Sequence, residues 1–191
     1  LLFSLRLLIQ WLFSEKENKV VTPVLFWILS LIASFIFFIS GYLRNDFAIM
    51  LGQFITYYIY IRNLQLQHQW GKIQKEIRIF FICFPITTFL ITFLQGTYDI
   101  TQLFNKDHIS SWLLVLGIVS QLVFTFRFIY QWIYSERIKA SVLPADFWII
   151  SLLGAILILI YAIFRKDPIL FMGQIFGLVV YIRNLMILKR H

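Results

Sequence analysis

Long apolar runs separated by short polar segments dominate the chain. A helix that crosses the hydrocarbon core of a bilayer needs about 20 consecutive apolar residues, and most of these runs reach that length. The pattern therefore predicts an all-α membrane protein with seven transmembrane helices. The predicted spans lie near residues 1–14, 23–43, 47–66, 77–96, 112–134, 145–164 and 168–188.

The second half of the chain repeats the first at a constant offset of 121 positions, without a gap. Polar as well as apolar positions recur with identical spacing, so shared hydrophobicity does not explain the match. The chain is therefore predicted to contain two copies of a three-helix unit. Matching pairs include Arg6 and Arg127, Gln10 and Gln131, Pro23 and Pro144, Arg44 and Arg165, Gly52 and Gly173, Gln53 and Gln174, and Asn63 and Asn184.

The odd number of spans in each copy determines the predicted architecture. Two copies joined directly would face opposite sides of the bilayer, and the span at 77–96 corrects this, which gives a 3+1+3 arrangement of parallel repeats. The predicted parts are a first three-helix repeat (1–70), a linker helix with an external loop (71–111) and a second three-helix repeat (112–191).

The first helix is predicted to be truncated. The segment 112–121 opens the second repeat, and nothing before Leu1 corresponds to it. Because a span needs about 20 residues, we expect the natural protein to begin at least about ten residues earlier.

Composition excludes an ordinary soluble domain and limits the possible partners. Hydrophobic residues make up 60% of the chain and charged residues 14%, against about 25% charged in soluble proteins. Seven spans would leave no room for a separate catalytic domain of about 100 to 150 residues. The net charge of +8 would suggest nucleic acid in a soluble protein. Here the basic residues lie in short loops, so membrane lipids and not nucleic acid are the expected partners.

The distribution of basic residues predicts the orientation. Eleven Lys and Arg residues lie in the connections on one side of the predicted bilayer and four on the other. Cytoplasmic loops carry the excess of positive charge, which predicts a periplasmic amino terminus and a cytoplasmic carboxyl terminus. The loop at 97–111 is then external.

Arg6 and Arg127 are the charged residues that the loops cannot account for, and Gln10 and Gln131 follow them one turn later on the same helix face. Charges inside a membrane are costly and usually face a cavity. The first hypothesis is that both stripes line a central cavity and bind an anion, because guanidinium binds phosphate or carboxylate in a forked geometry. In the alternative, each arginine reaches the headgroups or pairs with a glutamate of its own helix.

Gln53 and Gln174 are further candidates for substrate binding, since an amide in hydrocarbon needs a partner or water. Bonding between helices would explain them equally well. Other polar pairs at the helix ends could form gates, although local ion pairs, helix caps and contacts with headgroups are alternatives. These gating candidates are Arg44, Asp46, Arg62, Asn63, Arg165, Asp167, Arg183 and Asn184.

The chain carries none of the familiar motifs of catalysis. Cys83 is the single cysteine, and the three histidines lie far apart in sequence, so no disulfide and no metal site is predicted. No nucleophile and histidine arrangement, pair of buried carboxylates or phosphate-binding loop is present. The sequence therefore predicts no cofactor, no metal and no enzymatic activity.

The repeated motifs R-x-x-x-Q-W-x-x-S-E, P-x-x-F-W-x-x-S-L, G-Q and Y-I-R-N-L carry a family resemblance. Over residues 1–66 and again 122–187, the chain resembles the bacterial lipid A biosynthesis N-terminal domain, also called lipid-A-disaccharide synthase N-terminal-like. That family is distantly similar to SWEET sugar transporters and PQ-loop proteins, which share the 3+1+3 plan. The resemblance implies a bacterial inner-membrane protein of lipid A or lipid-linked sugar metabolism.

Together these features predict an inner-membrane carrier or flippase for an anionic lipid-linked sugar or lipid A precursor, with alternating access between the repeats. One alternative is a non-catalytic membrane subunit that holds a glycosyltransferase at the bilayer. Another is a SWEET-like carrier of a free sugar or small metabolite.

Overall fold

A computed structural model describes residues 2–43, 47–94 and 111–190. The described residues form α-helices joined by short connections and no strand, which confirms the all-α prediction. A 3₁₀ turn at Trp70–Lys72 follows the third helix. Within the described ranges there are seven helices: α1 (Leu2–Glu17), α2 (Val24–Leu43), α3 (Phe47–Leu66), α4 (Lys75–Leu94), α5 (Ser111–Ile138), α6 (Ala145–Arg165) and α7 (Pro168–Leu188).

Four of the described helices are long and apolar enough to cross a membrane. These are α2, α6, α7 and the segment Val115–Ile138 of α5. Several such helices in one chain indicate association with a membrane. The crossing of the bilayer by α1, α3 and α4, and with it the complete 3+1+3 arrangement, stays a prediction.

The described residues have an apolar exterior, unlike a soluble domain. Large apolar side chains cover the outside, including Leu94 and Ile169, which are 82% and 86% exposed. Polar side chains such as Gln10, Asn63 and Gln131 are completely buried. An apolar exterior with polar groups paired inside is the arrangement that hydrocarbon requires.

The helices pack as two triplets that meet crosswise. In the first triplet α2 packs against both α1 and α3, and in the second α6 packs against both α5 and α7. Between the triplets, α1 contacts α7 and α3 contacts α5. The four helices α1, α3, α5 and α7 therefore enclose the centre of the molecule.

The internal repeat extends to the aromatic core. The indoles of Trp27 and Trp148 are fully buried, and each packs on the tyrosine of its own triplet. The ring centroids of Trp27 and Tyr60 are 5.9 Å apart, and those of Trp148 and Tyr181 are 6.0 Å apart. Both pairs are related by the offset of 121 positions, so each triplet has the same central packing.

The backbone carries the same repeat where α1 and α5 end. Asn18 and Lys139 lie 121 positions apart, and both adopt the left-handed conformation, with φ of 52° and 56°. Helices commonly end in this conformation, which satisfies carbonyls of the last turn. In the second triplet, a tight turn leads from α6 into α7, where the side chain of Asp167 accepts hydrogen bonds from the backbone N–H groups of Ile169 (3.1 Å) and Leu170 (3.0 Å).

Gly154 allows α6 to approach α5 closely. A Cβ atom at this position would lie 3.2 Å from the backbone nitrogen and Cα of Phe124. A Cβ atom at Gly52 or at Gly173 would meet nothing within 4 Å. The three glycines therefore have different structural roles.

We predict that Gly154→Ala destabilises the protein by about 1–3 kcal/mol, because the added methyl group forces two helix backbones apart. Gly52→Ala is the matched control and should leave stability unchanged or raise it slightly, since alanine favours helix and has room. Thermal unfolding of both variants in detergent measures the difference. Equal unfolding midpoints would contradict the close contact between α5 and α6.

Candidate functional site

A cavity of about 250 Å³ lies between α1, α3, α5 and α7. Most of its lining comes from residue pairs that the repeat relates, so the cavity lies where the two triplets meet. The paired lining residues are Phe3 and Phe124, Ser4 and Thr125, Arg6 and Arg127, Leu7 and Phe128, Gly52 and Gly173, Gln53 and Gln174, and Tyr60 and Tyr181.

Arg6 projects from α1 into this cavity and is only 4% exposed. One of its terminal nitrogens donates hydrogen bonds to the Ser30 hydroxyl at 2.8 Å and the Tyr60 hydroxyl at 3.1 Å. The guanidinium carbon lies 4.7 Å from the centroid of the Phe3 ring and 5.2 Å from that of Phe128. Aromatic faces attract a cation and offset part of the cost of burying it.

Arg127 occupies the matching position on α5 and is 3% exposed. It donates a hydrogen bond of 3.0 Å to the Tyr181 hydroxyl. Its guanidinium carbon lies 3.4 Å from the Phe124 ring centroid and 4.8 Å from that of Phe128. Phe128 therefore contacts both guanidinium groups.

Neither buried arginine has an anionic partner in the described part of the chain. The ion pairs there join Arg62 and Lys139 to Glu136, and Arg183 to Glu15. The Nε atoms of Arg6 and Arg127 are buried and meet no hydrogen-bond acceptor among the described residues. The cavity therefore holds two positive charges and unused donors, a combination that attracts an anion.

Glycine and glutamine residues of α3 and α7 form one wall of the cavity. Gly52 and Gly173 line it, and space is open beside both. Gln53 and Gln174 lie next to them. The Gln53 side-chain oxygen accepts a hydrogen bond of 2.9 Å from Ser34, which leaves its amide nitrogen as the group that can donate to a ligand.

Gln10 and Gln131 lie outside the cavity lining and join the two triplets. Gln10 exchanges two hydrogen bonds with Asn184, one in each direction, at 2.8 and 3.1 Å. Gln131 exchanges two with Asn63, also at 2.8 and 3.1 Å. We call these two contacts the amide pairs. Each joins the first helix of one triplet to the third helix of the other.

Two ion pairs reinforce the same contacts closer to the ends of the helices. The Arg183 guanidinium donates two hydrogen bonds to the Glu15 carboxylate, and that of Arg62 donates two to Glu136. Glu15 lies outside the four apolar spans. Hydrogen bonding from Arg183 lowers the pKa of its carboxyl group to about 2. Each glutamate therefore pairs with an arginine of the opposite triplet.

The remaining gating candidates divide between described and undescribed residues. Arg165 donates a hydrogen bond of 2.8 Å to the Tyr161 hydroxyl, and Asp167 caps α7. Arg44 and Asp46 lie outside the described residues.

Sequence reasoning missed the tyrosines and phenylalanines that surround the two arginines. Tyr60 and Tyr181 open the repeated Y-I-R-N-L motif, so the repeat contained the signal that could have identified them. Phe128 had no such signal, because its counterpart in the first repeat is Leu7. Its contact with both arginines depends on the crosswise packing of the triplets.

Comparison with known proteins gives the chain a family context. The model of the Lipid A Biosynthesis N-terminal domain matches residues 1–65 and 116–186. A protein of Chlamydia felis named lipid-A-disaccharide synthase is 28% identical over 100% of this chain and 32% of its own length. A protein of the same name from Chlamydia pneumoniae is 30% identical over 97% of this chain and 31% of its own length. No solved structure matches the chain.

These matches confirm the predicted family resemblance and correct the predicted function. The predictions of a carrier, a flippase or a free-sugar transporter are wrong, because the relatives that cover the chain are named as an enzyme. The same finding corrects the prediction of no enzymatic activity, since relatives that match nearly the whole chain are named as an enzyme. The chain spans about a third of the length of these relatives.

We predict that Glu15→Arg lowers the unfolding midpoint in detergent by a few degrees, because it sets two cations against each other where α1 meets α7. Adding Arg183→Glu should recover most of the loss, since the exchanged pair restores the attraction. Glu17→Arg, an exposed change on the same helix, is the control and should leave the midpoint unchanged. Failure of the double variant to recover stability would argue against this contact between the triplets.

Proposed function

This chain belongs to the family of the Lipid A Biosynthesis N-terminal domain, and from that membership we propose that it forms the membrane-embedded part of a lipid-A-disaccharide synthase. In this proposal the rest of the enzyme corresponds to the two thirds of the relatives that the chain does not match. The chain contributes a binding site within the bilayer for an anionic, lipid-linked sugar of lipid A biosynthesis.

The observation that carries this proposal is the cavity with Arg6 and Arg127. Burial of an unpaired charge is costly, so two such charges at matching positions of one cavity require a compensating partner. A sugar that carries phosphate supplies that charge, and its acyl chains suit the apolar exterior of the helices. Gln53, Gln174 and the two tyrosine hydroxyls add polar contacts for the sugar.

The internal repeat supports a full set of seven spans in the proposed arrangement. α5 and α7 contain segments long and apolar enough to cross a membrane, and α1 and α3 are their counterparts at the offset of 121 positions. We therefore assign a crossing to each, with α4 as the linker between parallel three-helix repeats. The excess of basic residues at one end supports placing that end on the cytoplasmic side of the bacterial inner membrane.

The amide pairs and ion pairs have a positioning role in this proposal. The amide pairs join α1 to α7 and α3 to α5 about one turn from the arginines, the ion pairs do so about two and a half turns away, and together they set the width of the cavity. The anion contacts Arg6 and Arg127, whereas Gln10 and Gln131 act through the packing of the helices that carry those arginines.

We predict that the double variant Arg6→Gln and Arg127→Gln, made in the natural protein, lowers lipid-A-disaccharide formation in isolated membranes at least about tenfold. Each hydrogen bond to a charged group contributes about 1.5–3 kcal/mol, and this variant removes several. Incorporation of a labelled sugar precursor into the disaccharide measures the rate. Immunoblotting confirms equal amounts of protein in the membranes.

Arg137→Gln is the matched control, because Arg137 is an exposed arginine on the same helix as Arg127. It should leave the rate unchanged. A double variant that is present at the normal amount and forms the disaccharide at the normal rate would contradict the proposed function.

A further inference from the structure

We propose that the cavity binds a phosphate monoester in its doubly charged form, and that a single phosphate bridges Arg6 and Arg127. This inference rests on the proposed function only for the location of the site. It adds the charge, the number and the chemical class of the group bound there.

The charge of the cavity selects a dianion. Two buried guanidinium groups without a carboxylate leave two positive charges, because the carboxylates of Glu15 and Glu136 are held by Arg183 and Arg62. A phosphate monoester carries a charge of about −1.5 to −2 at pH 7. A phosphodiester or a carboxylate carries −1 and would leave one buried charge uncompensated.

A shared contact with Phe128 limits the separation of the two guanidinium groups. Both guanidinium groups lie against the Phe128 ring, with their carbons 5.2 and 4.8 Å from its centroid. Their separation therefore cannot exceed the sum of these two distances. The three oxygens of a phosphate monoester accept hydrogen bonds from several directions, so in this proposal one group bridges both arginines.

The cavity supplies hydrogen-bond donors, and a phosphate monoester dianion only accepts. Tyr60 and Tyr181 accept from the arginines through their oxygens, which leaves each hydroxyl proton available to donate. The buried Nε atoms of both arginines add two more donors without partners in the described residues. The open space beside Gly52 and Gly173 leaves room for the sugar that carries the phosphate.

The test compares a lipid that ends in a phosphate monoester with a lipid of the same acyl chain whose phosphate carries a second glycerol ester. The full chain in detergent is titrated by calorimetry with a lysophosphatidic acid, a phosphate monoester, and with a lysophosphatidylglycerol of the same acyl chain, a phosphodiester. We expect one molecule of the monoester per chain, with at least about tenfold higher affinity than the diester at pH 7.5.

The pH dependence provides a second readout that needs no variant. The second ionisation of a phosphate monoester lies near pH 6, so affinity for the monoester should fall about tenfold between pH 7.5 and pH 5. Affinity for the diester should stay constant. The titratable side chains that line the cavity are Arg6, Tyr60, Arg127 and Tyr181, and arginine and tyrosine are residue types that do not ordinarily titrate in this range.

Single variants distinguish one shared ligand from two separate ones. If one phosphate bridges the arginines, Arg6→Gln and Arg127→Gln each lower affinity at least about tenfold and leave a stoichiometry of one. If each arginine binds its own anion, the parent protein binds two ligands and each variant binds one. Arg137→Gln should not change binding.

Equal affinity for the two lipids, a stoichiometry of two, or affinity for the monoester that does not change with pH would overturn the inference. These outcomes are separable from a failure of the proposed function. Loss of disaccharide formation in the arginine variants without selective binding of the monoester would refute the inference alone. If the parent protein binds the monoester selectively but the arginine variants form the disaccharide at the normal rate, the proposed function alone would be refuted.

Discussion

The hydrocarbon environment sets the condition on which the rest of this structure depends. Polar groups that cannot reach water need partners within the protein, so the buried amide side chains pair where the triplets meet, while apolar side chains fill the core and also cover the outside. The amide pairs satisfy this condition completely, since Gln10 and Asn184 exchange hydrogen bonds in both directions. Gln131 and Asn63 form the same exchange, because the internal repeat places the same residues in both triplets.

Arg6 and Arg127 depart from this internal pairing in carrying buried charge without a carboxylate among the described residues, and this charge is what suggests function. Tyrosine hydroxyls and aromatic rings stabilise the two guanidinium groups, but no described carboxylate neutralises them. The nearby glutamates Glu15 and Glu136 pair across the triplet boundary with other arginines. The structure thus separates cations that hold the triplets together from cations that remain available to a ligand.

A cavity with two guanidinium groups that lack a carboxylate partner among the described residues is compatible with several functions, so the cavity alone identifies none of them. Guanidinium groups in a central cavity suit a carrier as well as an enzyme that holds an acylated, phosphorylated sugar. The comparisons favour an enzyme, because relatives that match nearly the whole chain are named lipid-A-disaccharide synthase. The proposed role joins the two observations: the chain holds the anionic lipid, and the rest of the synthase is required for the reaction.

The sequence by itself determined the all-α class, the approximate bounds of seven helices and the internal repeat, because apolar run length and a constant offset are properties of the linear chain. It also singled out Arg6, Arg127, Gln10 and Gln131. Only the tertiary structure decided which of these meet a cavity. Arg6 and Gln10 lie on one face of α1, but four residues separate them by about 6 Å along the axis. Because of this offset, the packing of α1 against α7 gives the two side chains different surroundings. Arg6 lies beside the cavity, and Gln10 pairs with Asn184 of the other triplet.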